Sequence, residues 1–395
     1  MGATLERNVT VDQLMEQGYS FTDATKKLRE HLVKKWLWLI EAKEFAPVAP
    51  ALVDSMAVIL ENQSQHSRRK HVAMLEGSST SDVTLPQRYA LPIIRNVFPQ
   101  LIASKICSIQ PLPLSSGGVG NIYYLDHKYE DTGGTPSVTT ADSDYSLSSE
   151  SAIPNRLKVG ITSDTITVHK DLLAATWTSE IQEDAEGAIG LNVEQSLVTE
   201  CSNQILREMD ARVLASILGG ATAGDTTWEW TPDSGYTAKE WYETLFHAFI
   251  DAEDDIYGNR YRKADWIIAG RSVSKYLRKS QDFKPAPKAD PYSGTLSAGV
   301  QFIGNHSGLW DVYTTPLINT NKAIMGVYPS SQVDTGFILA PYIPIEAMPL
   351  VYAGFNHSTG AYENKDEWTR NVRTRYGYKM VVGNLFATVT ISAGS

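Results

Sequence analysis

The chain has 395 residues, of which 42% are hydrophobic, and it carries 35 lysine and arginine against 45 aspartate and glutamate residues. This length predicts two or three domains with enough apolar residues for a substantial core. The formal net charge of −10 argues against a protein that coats nucleic acid, because phosphate binding requires a basic surface.

The sequence gives no sign of secretion or of a membrane span. Its first residues, MGATLERNVT, lack a basic segment followed by an apolar one, so we expect no signal peptide. The longest apolar stretches, such as VKKWLWLI, are too short to cross a bilayer. Cys107 and Cys201 are too few for a disulfide scaffold, which fits a reducing cytoplasm.

Residues 10–62 predict helices with one apolar face. APVAPA interrupts the pattern and LVDSMAVILEN resumes it. Such an amphipathic stretch requires a partner surface, either on its own chain or on a neighbour. The polar and then small residues of SQHSRRKHVAMLEGSSTSD predict a linker or an extended arm. The residues that define the apolar face are Leu14, Phe21, Leu28, Leu32, Trp36 and Ile40.

A proline-rich stretch and a long polar segment follow. Residues 93–106 predict a short helix flanked by extended chain. Residues 126–155 are rich in Ser, Thr, Gly and Asp and lie between the strand-like pieces NIYYL and RLKVGITSDTITVHK. This pattern is typical of a long hairpin that projects from a body, although a solvated loop fits it equally. Its acidic residues are Asp126, Glu130, Asp131, Asp142, Asp144 and Glu150.

Residues 193–218 predict a helix of about 39 Å, at 1.5 Å per residue. Asn192 can cap it, with Gln195 three residues further on. SEIQEDAEGAIG predicts a shorter helix before it, which Gly187 and Gly190 end or bend. The apolar residues that recur at helical spacing along the long helix are Val198, Cys201, Ile205, Met209, Val213 and Ile217.

The last third of the chain mixes helices and strands. Residues 219–237 predict a turn, AKEWYETLFHAFIDAEDDIYG a helix, ADWIIAG a buried strand and SVSKYLRKS a short helix. WDVYTTPLI, AIMGVYP, TGFILAPYIPIEA, TRYGYKMVV and LFATVTIS then predict strands. Pro341 and Pro344 cannot donate to a sheet ladder, so we expect them to end strand pairing. The order of elements favours an α+β fold.

No motif for catalysis or for ligand binding is legible. SSGGVGN lacks the Lys-Ser/Thr of a phosphate-binding loop, and the eight histidines form no HExxH pattern. DAEDDIYGN lacks the alternating ligands of a calcium loop, and no G-x-S-x-G elbow is present. We therefore expect no catalytic residue, no cofactor and no metal.

Several motifs in collinear order resemble the T4-type major capsid proteins of tailed phages, which have the HK97-like fold. They are LPIIRNVFPQLIASKICSIQPLPLSSGGVGNIYYL, TSEIQEDAEGAIGLNVEQSLVTECSNQILREMDARVL, ADWIIAGRSVSKYL, GVYPSSQVDTGFILAPYIPI and TRNVRTRYGY. The resemblance covers roughly residues 85 to 390. It implies a structural protein that is not an enzyme.

The resemblance also implies a division of the chain. Residues 1–84 form a helical N-terminal arm and linker, and residues 85–119 begin the peripheral domain. Residues 120–170 form the E-loop hairpin, which lies over a neighbouring subunit. The remaining ranges are 171–255 for the spine helix and peripheral domain, 256–325 for the axial domain, and 326–395 for the return to the peripheral domain and the C-terminal strands.

The acidic hairpin tip is expected to meet a basic surface on a neighbour. Individual exposed ion pairs contribute only about 0.2–1 kcal/mol, so register would depend on the set. A further basic cluster in the axial domain, from Arg260, Arg262 and Lys263 to Arg271, Lys275, Arg278 and Lys279, also fits a solvated helix face. The candidate basic partners of the tip are Arg370, Arg373 and Arg375, or Arg68, Arg69 and Lys70.

The implied partners are many copies of the chain, with vertex, portal, scaffold and decoration proteins, around double-stranded DNA that is bound without sequence specificity. The implied location is the virion shell, assembled in the bacterial cytoplasm. Family members lose an N-terminal segment by cleavage after Glu in an Ile/Leu-x-Glu context. Glu16 and Glu61 match this context, and Glu76, with Met74 in the first position, matches it loosely. A pentameric vertex protein, an encapsulin-like compartment shell and an enzyme remain as alternatives.

Overall fold

The computed structural model of the chain describes residues 21–42, 48–76, 101–114, 118–130, 136–140, 156–190, 192–233, 235–280, 282–285, 300–348, 351–356 and 361–392. The described helices are α1 (Phe21–Ile40), α2 (Val53–Glu76), α3 (Ala103–Ile106), α4 (Ser179–Ile189), α5 (Val193–Gly220), α6 (Ala238–Arg260) and α7 (Arg271–Leu277). The strands are β1 (Ser108–Ile109), β2 (Val119–Glu130), β3 (Pro136–Thr140), β4 (Arg156–Thr167), β5 (His169–Thr178), β6 (Asp225–Glu229), β7 (Trp266–Ala269), β8 (Phe283–Pro285), β9 (Gln301–His306), β10 (Trp310–Thr314), β11 (Lys322–Gly326), β12 (Phe337–Ala347), β13 (Val351–Asn356), β14 (Ala361–Met380) and β15 (Phe386–Ser392). The mixture of helices and separate sheets confirms the predicted α+β class.

The first sheet is organised around the 20-residue strand β14. The strands follow the order β1-β12-β14-β13, and β5 pairs with β14 on its other side. β12 continues through Pro341 and Pro344, so the prediction that these prolines end pairing is wrong. The ladder to β14 shifts register between Pro341 and Ile343 and again before Glu346. These irregularities accommodate residues that cannot donate a ladder hydrogen bond.

The long helix α5 packs on the first sheet and matches its prediction closely. Asn192 caps it, with its side-chain oxygen accepting a 3.0 Å hydrogen bond from the Gln195 backbone N–H. All six residues predicted at helical spacing are buried. Asp210 is also buried on this helix, which the apolar pattern alone does not reveal.

The second sheet has seven strands in the order β6-β15-β11-β7-β10-β9-β8. Helices α6 and α7 contribute Phe249, Ile256, Val273 and other side chains to a core with one face of this sheet. The prediction of a turn over residues 219–237 is wrong for residues 225–229, because β6 pairs there in parallel with β15. The predicted domain boundary between residues 255 and 256 falls inside α6.

The N-terminal helices α1 and α2 are part of the main core. Met56, Ala57, Ile59 and Leu60 of α2 are at most 1% exposed and belong to the same cluster as residues of α5 and the first sheet. Helix α2 continues to Glu76, so the predicted linker is helical as far as that residue. Ser55, Asn62 and His66 of this helix contact the first sheet and the chain that follows β1, which the local sequence does not show.

Strands β2 and β4 form the predicted hairpin. Their antiparallel register runs without a break from Val119 opposite Thr167 to Glu130 opposite Arg156. At about 3.3 Å per residue, a strand of this length extends for about 40 Å. β3 adds a third strand beside β2 near Lys128 and Glu130. The name E-loop for this hairpin stays a prediction.

Candidate subunit interface

A small core of its own fixes the root of the hairpin. Ile122 of β2 is fully buried and Ile166 of β4 is 3% exposed, and both pack with Leu112 and Tyr342. A Cβ atom added to Gly120 would lie 2.4 Å from Leu112 Cδ2, so the backbone approaches this core closely. By contrast, Val119 and Tyr123 are 54% and 50% exposed. Alternate residues therefore anchor the root and face solvent.

Polar contacts tie the same root to β14. Lys379 Nζ lies 2.6 Å from Asp164 Oδ2 on β4 and donates to the Thr165 carbonyl oxygen at 3.5 Å. The hydrogen bond from Lys379 is the main cause of the lowered pKa of Asp164. The pair is solvent-exposed, so we assign it a role in alignment rather than a large contribution to stability.

A buried carboxylate joins three elements just below the root. Asp171 of β5 accepts a 2.8 Å hydrogen bond from Tyr376 Oη of β14. Its other carboxylate oxygen lies 2.6 Å from Arg212 Nη1 of α5. Asp171 is 7% exposed, so water competes little for these contacts. The chain that leads out of β4 is thereby held to the long helix and to β14.

The structure describes only the backbone positions of two hairpin acids. Asp126 lies opposite Gly160 and Glu130 opposite Arg156 in the β2–β4 ladder. The other predicted acids, Asp131, Asp142, Asp144 and Glu150, lie outside the described residues. Their role at the tip stays a prediction.

Two of the predicted basic partners have to be corrected. Arg370 is 6% exposed, forms an ion pair with Glu194 and donates from Nε to the Met348 carbonyl oxygen at 3.1 Å. Arg373 Nε donates to Glu346 at 2.5 Å, on a neighbouring strand. Both guanidinium groups are therefore engaged by carboxylates of their own subunit, Arg370 in a buried position and Arg373 with 18% of its side chain exposed.

The remaining predicted partners differ in what the structure shows. Arg375 is half-buried, and its guanidinium lies 5.1 Å from the ring centroid of Tyr342. Arg68, Arg69 and Lys70 lie within α2, and only their place in the helix is described. A basic surface formed by these three residues stays a prediction.

Glu61, one of the predicted cleavage positions, is buried in the middle of α2. It is 4% exposed, and its Oε2 accepts hydrogen bonds from Lys35 Nζ at 2.7 Å and from Trp36 Nε1 at 2.9 Å. Gln65 Nε2 donates to the other oxygen at 3.1 Å. Burial raises the pKa of Glu61, but these hydrogen bonds outweigh burial and lower it overall. A protease requires extended, accessible chain, so this conformation protects Glu61, whereas Glu76 is the last residue of α2.

Further polar contacts attach α2 to the first sheet. Asn62 Nδ2 donates to the Leu112 carbonyl oxygen at 2.9 Å, and Ser55 Oγ donates to that of Ile109 at 3.2 Å. His66 Nε2 lies 3.1 Å from Glu346 Oε1, which is 5% exposed on a side-chain basis. Because they join residues far apart in sequence, these contacts were not predictable from the local pattern.

Asp210 is a buried carboxylate that the sequence interpretation missed. Its two oxygens accept hydrogen bonds from the backbone N–H groups of Ile102 and Ala103, both at 3.2 Å, at the beginning of α3. Burial raises the pKa of Asp210 to about 7, although both hydrogen bonds lower it. Burial, followed by Asp210, raises the pKa of the Cys107 thiol well above its usual range, so this cysteine is not a reactive thiolate.

The predicted axial basic cluster divides into two groups. Arg262 pairs with Asp334, and Arg260 is half-buried. Lys263 and four residues on or directly after α7 are exposed. Those four are Arg271, Lys275, Arg278 and Lys279.

Within the described stretches, no three His, Cys, Asp or Glu side chains come together in a way that could hold a metal ion. No helix among them is long and apolar enough to span a bilayer.

Comparisons with known proteins give one consistent family. The model of the family described as "Major capsid protein Gp23" matches residues 138–391. A major capsid protein of Serratia phage KSP90 is 21% identical over 81% of this chain and 85% of its own length. One from Salmonella phage ViI is 21% identical over 82% and 86%. A solved chain from Microbacterium phage Oxtober96 shares 13% identity over 72% of this chain and 89% of its own, with a TM-score of 0.43.

Proposed function

The chain belongs to the Gp23 family of major capsid proteins, and from that premise we propose how its copies are joined in the shell of a tailed-phage head. It is a structural virion protein with the HK97-like fold, and many copies of it form the shell. We infer that the copies are grouped in hexamers around double-stranded DNA, and that they assemble in the bacterial cytoplasm. Vertex, portal, scaffold and decoration proteins are further proposed partners.

The observation that carries this proposal is the anchorage of the β2–β4 hairpin. The structure describes the hairpin side chains of residues 119–124 and 162–167, and these contact the rest of the subunit at the root, around Ile122, Asp164 and Ile166. A two-stranded hairpin is only marginally stable in water, and the short strand β3 pairs with β2 only near Lys128 and Glu130, so the ribbon still needs a covering surface. We propose that a neighbouring subunit supplies that surface and that the hairpin of residues 120–170 acts as the E-loop.

The firm root makes the hairpin suitable for such a contact. A long ribbon transmits a small rotation at its base into a large displacement at its tip. The small core at Ile166 and the Asp171 contacts limit that rotation, so the loss of orientational freedom on docking is reduced. The alternative of a merely solvated loop would not need this reinforcement.

Electron microscopy of the chain expressed alone tests the proposal. We expect closed shells or capsomers, and a monodisperse monomer at high concentration would contradict it. Two measurements separate the remaining alternatives. Copy number in purified particles distinguishes a hexamer-forming protein from a pentameric vertex protein, and enclosed DNA rather than an enzyme cargo distinguishes a phage head from an encapsulin-like compartment.

A further inference from the structure

The helical layer on the second sheet carries opposite charges on its two helices. Along α6, exposed carboxylates recur at helical spacing, and along α7 and the turn after it exposed cationic groups do so. We call these sets the acidic stripe and the basic stripe. The acidic stripe consists of Glu243, Asp251, Asp254 and Asp255, and the basic stripe of Arg271, Lys275, Arg278 and Lys279.

The two stripes do not neutralise each other within the subunit. No ion pair in the described part of the chain joins a member of one stripe to a member of the other. Lys279 Nζ instead lies 4.6 Å from the ring centroid of Tyr242 and 5.3 Å from that of Tyr276. Two strong fields of opposite sign therefore face outward from one domain.

Exposed apolar side chains lie along the same helix as the acidic stripe. Ile250, Tyr257 and Tyr261 are 38%, 45% and 54% exposed. Their spacing of seven and four residues places them on one side of α6 and its end. The rings of Tyr257 and Tyr261 meet edge to face with centroids 6.1 Å apart. Tyrosine is enriched at the centres of protein interfaces, where it is worth most when surrounding residues exclude water.

We propose that the acidic stripe of one copy docks on the basic stripe of a neighbouring copy, with Ile250, Tyr257 and Tyr261 covered by the contact. A second copy is the occupant because the same chain carries both complementary charges. Opposite stripes on separate helices give register and favour association, while contacts between like stripes are repelled. This inference rests on the proposed function, since it assumes that copies of the chain meet in a shell.

Charge reversal tests the contact. One variant combines Asp251→Lys with Asp254→Lys, a second combines Lys275→Glu with Arg278→Glu, and a third carries all four changes. The fourfold variant keeps the natural net charge of −10, so it separates pairing from overall charge. A matched control reverses two exposed acids on α4, Glu183→Lys with Asp184→Lys. Circular dichroism and thermal unfolding establish that each chain folds.

Particle yield is measured by sedimentation and electron microscopy at 0.15 M salt. We expect each double variant to lose about tenfold or more of the yield, and the fourfold variant and the α4 control to retain it. A fourfold variant as impaired as the two doubles would overturn the proposal. So would normal yields from both doubles, because the wild-type shells would then form without this contact.

Two other outcomes are informative. If particle yield is unchanged and only the Lys275→Glu/Arg278→Glu particles retain less DNA, the basic stripe faces nucleic acid and the proposal is overturned. If wild-type protein forms no particles, the proposed function fails and the inference falls with it. That result is distinct from a failure of the contact alone, in which wild-type shells are present.

Discussion

Tyr376 and Asp171, separated by 205 positions in the sequence, share a 2.8 Å hydrogen bond beneath the root of the hairpin. Burial raises the pKa of Tyr376 far above its ordinary value, and Asp171 raises it further. The phenol therefore remains a neutral donor across the accessible pH range. With Arg212 on the other carboxylate oxygen, this contact joins β5, β14 and α5.

Tyr376→Phe tests that junction. The change removes the donor and leaves a buried carboxylate with one partner fewer, which costs about 1–3 kcal/mol. We expect a lower free energy of unfolding for the unassembled chain in a denaturant titration. Tyr378→Phe is a matched control, because the Tyr378 hydroxyl makes no hydrogen bond to other described residues. Equal effects of the two changes would contradict the role of Asp171.

Asp210→Asn tests the buried carboxylate at the start of α3. The folded-state pKa of about 7 exceeds the unfolded value of about 3.9, so the contribution of Asp210 to stability is greatest at low pH and declines as pH rises to about 7. The variant lacks this titration. We expect the difference in unfolding free energy, wild type minus variant, to fall by roughly 3–5 kcal/mol between pH 4 and pH 8. A difference that is independent of pH would contradict the assignment, and Asp184→Asn on the exposed face of α4 serves as the control.

Lys35→Ala tests the protection of Glu61. In the native chain a glutamyl-specific protease must wait for α2 to open locally, so we expect cleavage after Glu61 to be slow. Removing the 2.7 Å contact from Lys35 should raise the rate, by about tenfold for each 1.4 kcal/mol of local destabilisation. The control is Lys26→Ala, at an exposed position of α1, the helix that also carries Lys35. It should leave the cleavage rate unchanged. Rapid cleavage after Glu61 in the folded wild type would refute the protection.

Gly270 and Gly187 make a matched pair of glycine-to-alanine changes. A Cβ atom at Gly270 would lie 2.3 Å from the Asn319 carbonyl oxygen and 2.7 Å from that of Thr320, and backbone cannot easily move away. We expect Gly270→Ala to destabilise the second sheet by about 2 kcal/mol or more. Gly187 lies in α4 with nothing within 4 Å of the added atom, so Gly187→Ala should stabilise by about 0.5–1 kcal/mol. Thermal unfolding distinguishes the two, and a shift of the same sign in both would contradict the geometry.

Changes at the acidic tip of the hairpin should affect particle assembly and leave the stability of the unassembled chain unchanged. We expect Asp142→Lys with Asp144→Lys to impair particle formation while the unassembled chain unfolds at the wild-type temperature. Asp142→Asn with Asp144→Asn removes charge without reversing it and should have a smaller effect, because the reversed pair adds repulsion from a basic partner surface. Particle yield in electron micrographs is the measurement. Normal particles from the reversed variant would exclude an electrostatic role for the tip.

Local patterns predicted the long helix well and the polar contacts poorly. The helix that begins at Val193 combines a capping residue with an unbroken apolar period, and both signals act within a few residues. The polar contacts of α2 involve distant partners instead. His66 and Glu346 meet across 280 positions, and no window of the sequence contains both.

The same limit explains the errors at charged residues. Arg370 and Arg373 read as a basic surface because charged side chains are usually exposed, yet each lies beside a carboxylate from another element. In the sequence, Asp210 is one polar residue on a helix. Its buried carboxylate accepts hydrogen bonds from the N–H groups of Ile102 and Ala103, which lie at a helix start and have no partner within that helix. For β12, we expected the prolines to end pairing because they cannot donate to the ladder, whereas shifts of register carry the strand past them.

The position of β15 in the second sheet means that this sheet can be completed only after residues 386–392 have been synthesised. β15 lies between β6 and β11, so residues 386–392 complete a sheet whose other strands lie within residues 225–326. A nascent polypeptide on the ribosome holds β6 and β11 without their shared neighbour until those late residues emerge. The second sheet is therefore completed only late in translation. An incompletely translated chain lacks the folded surface with which this domain would contact other subunits.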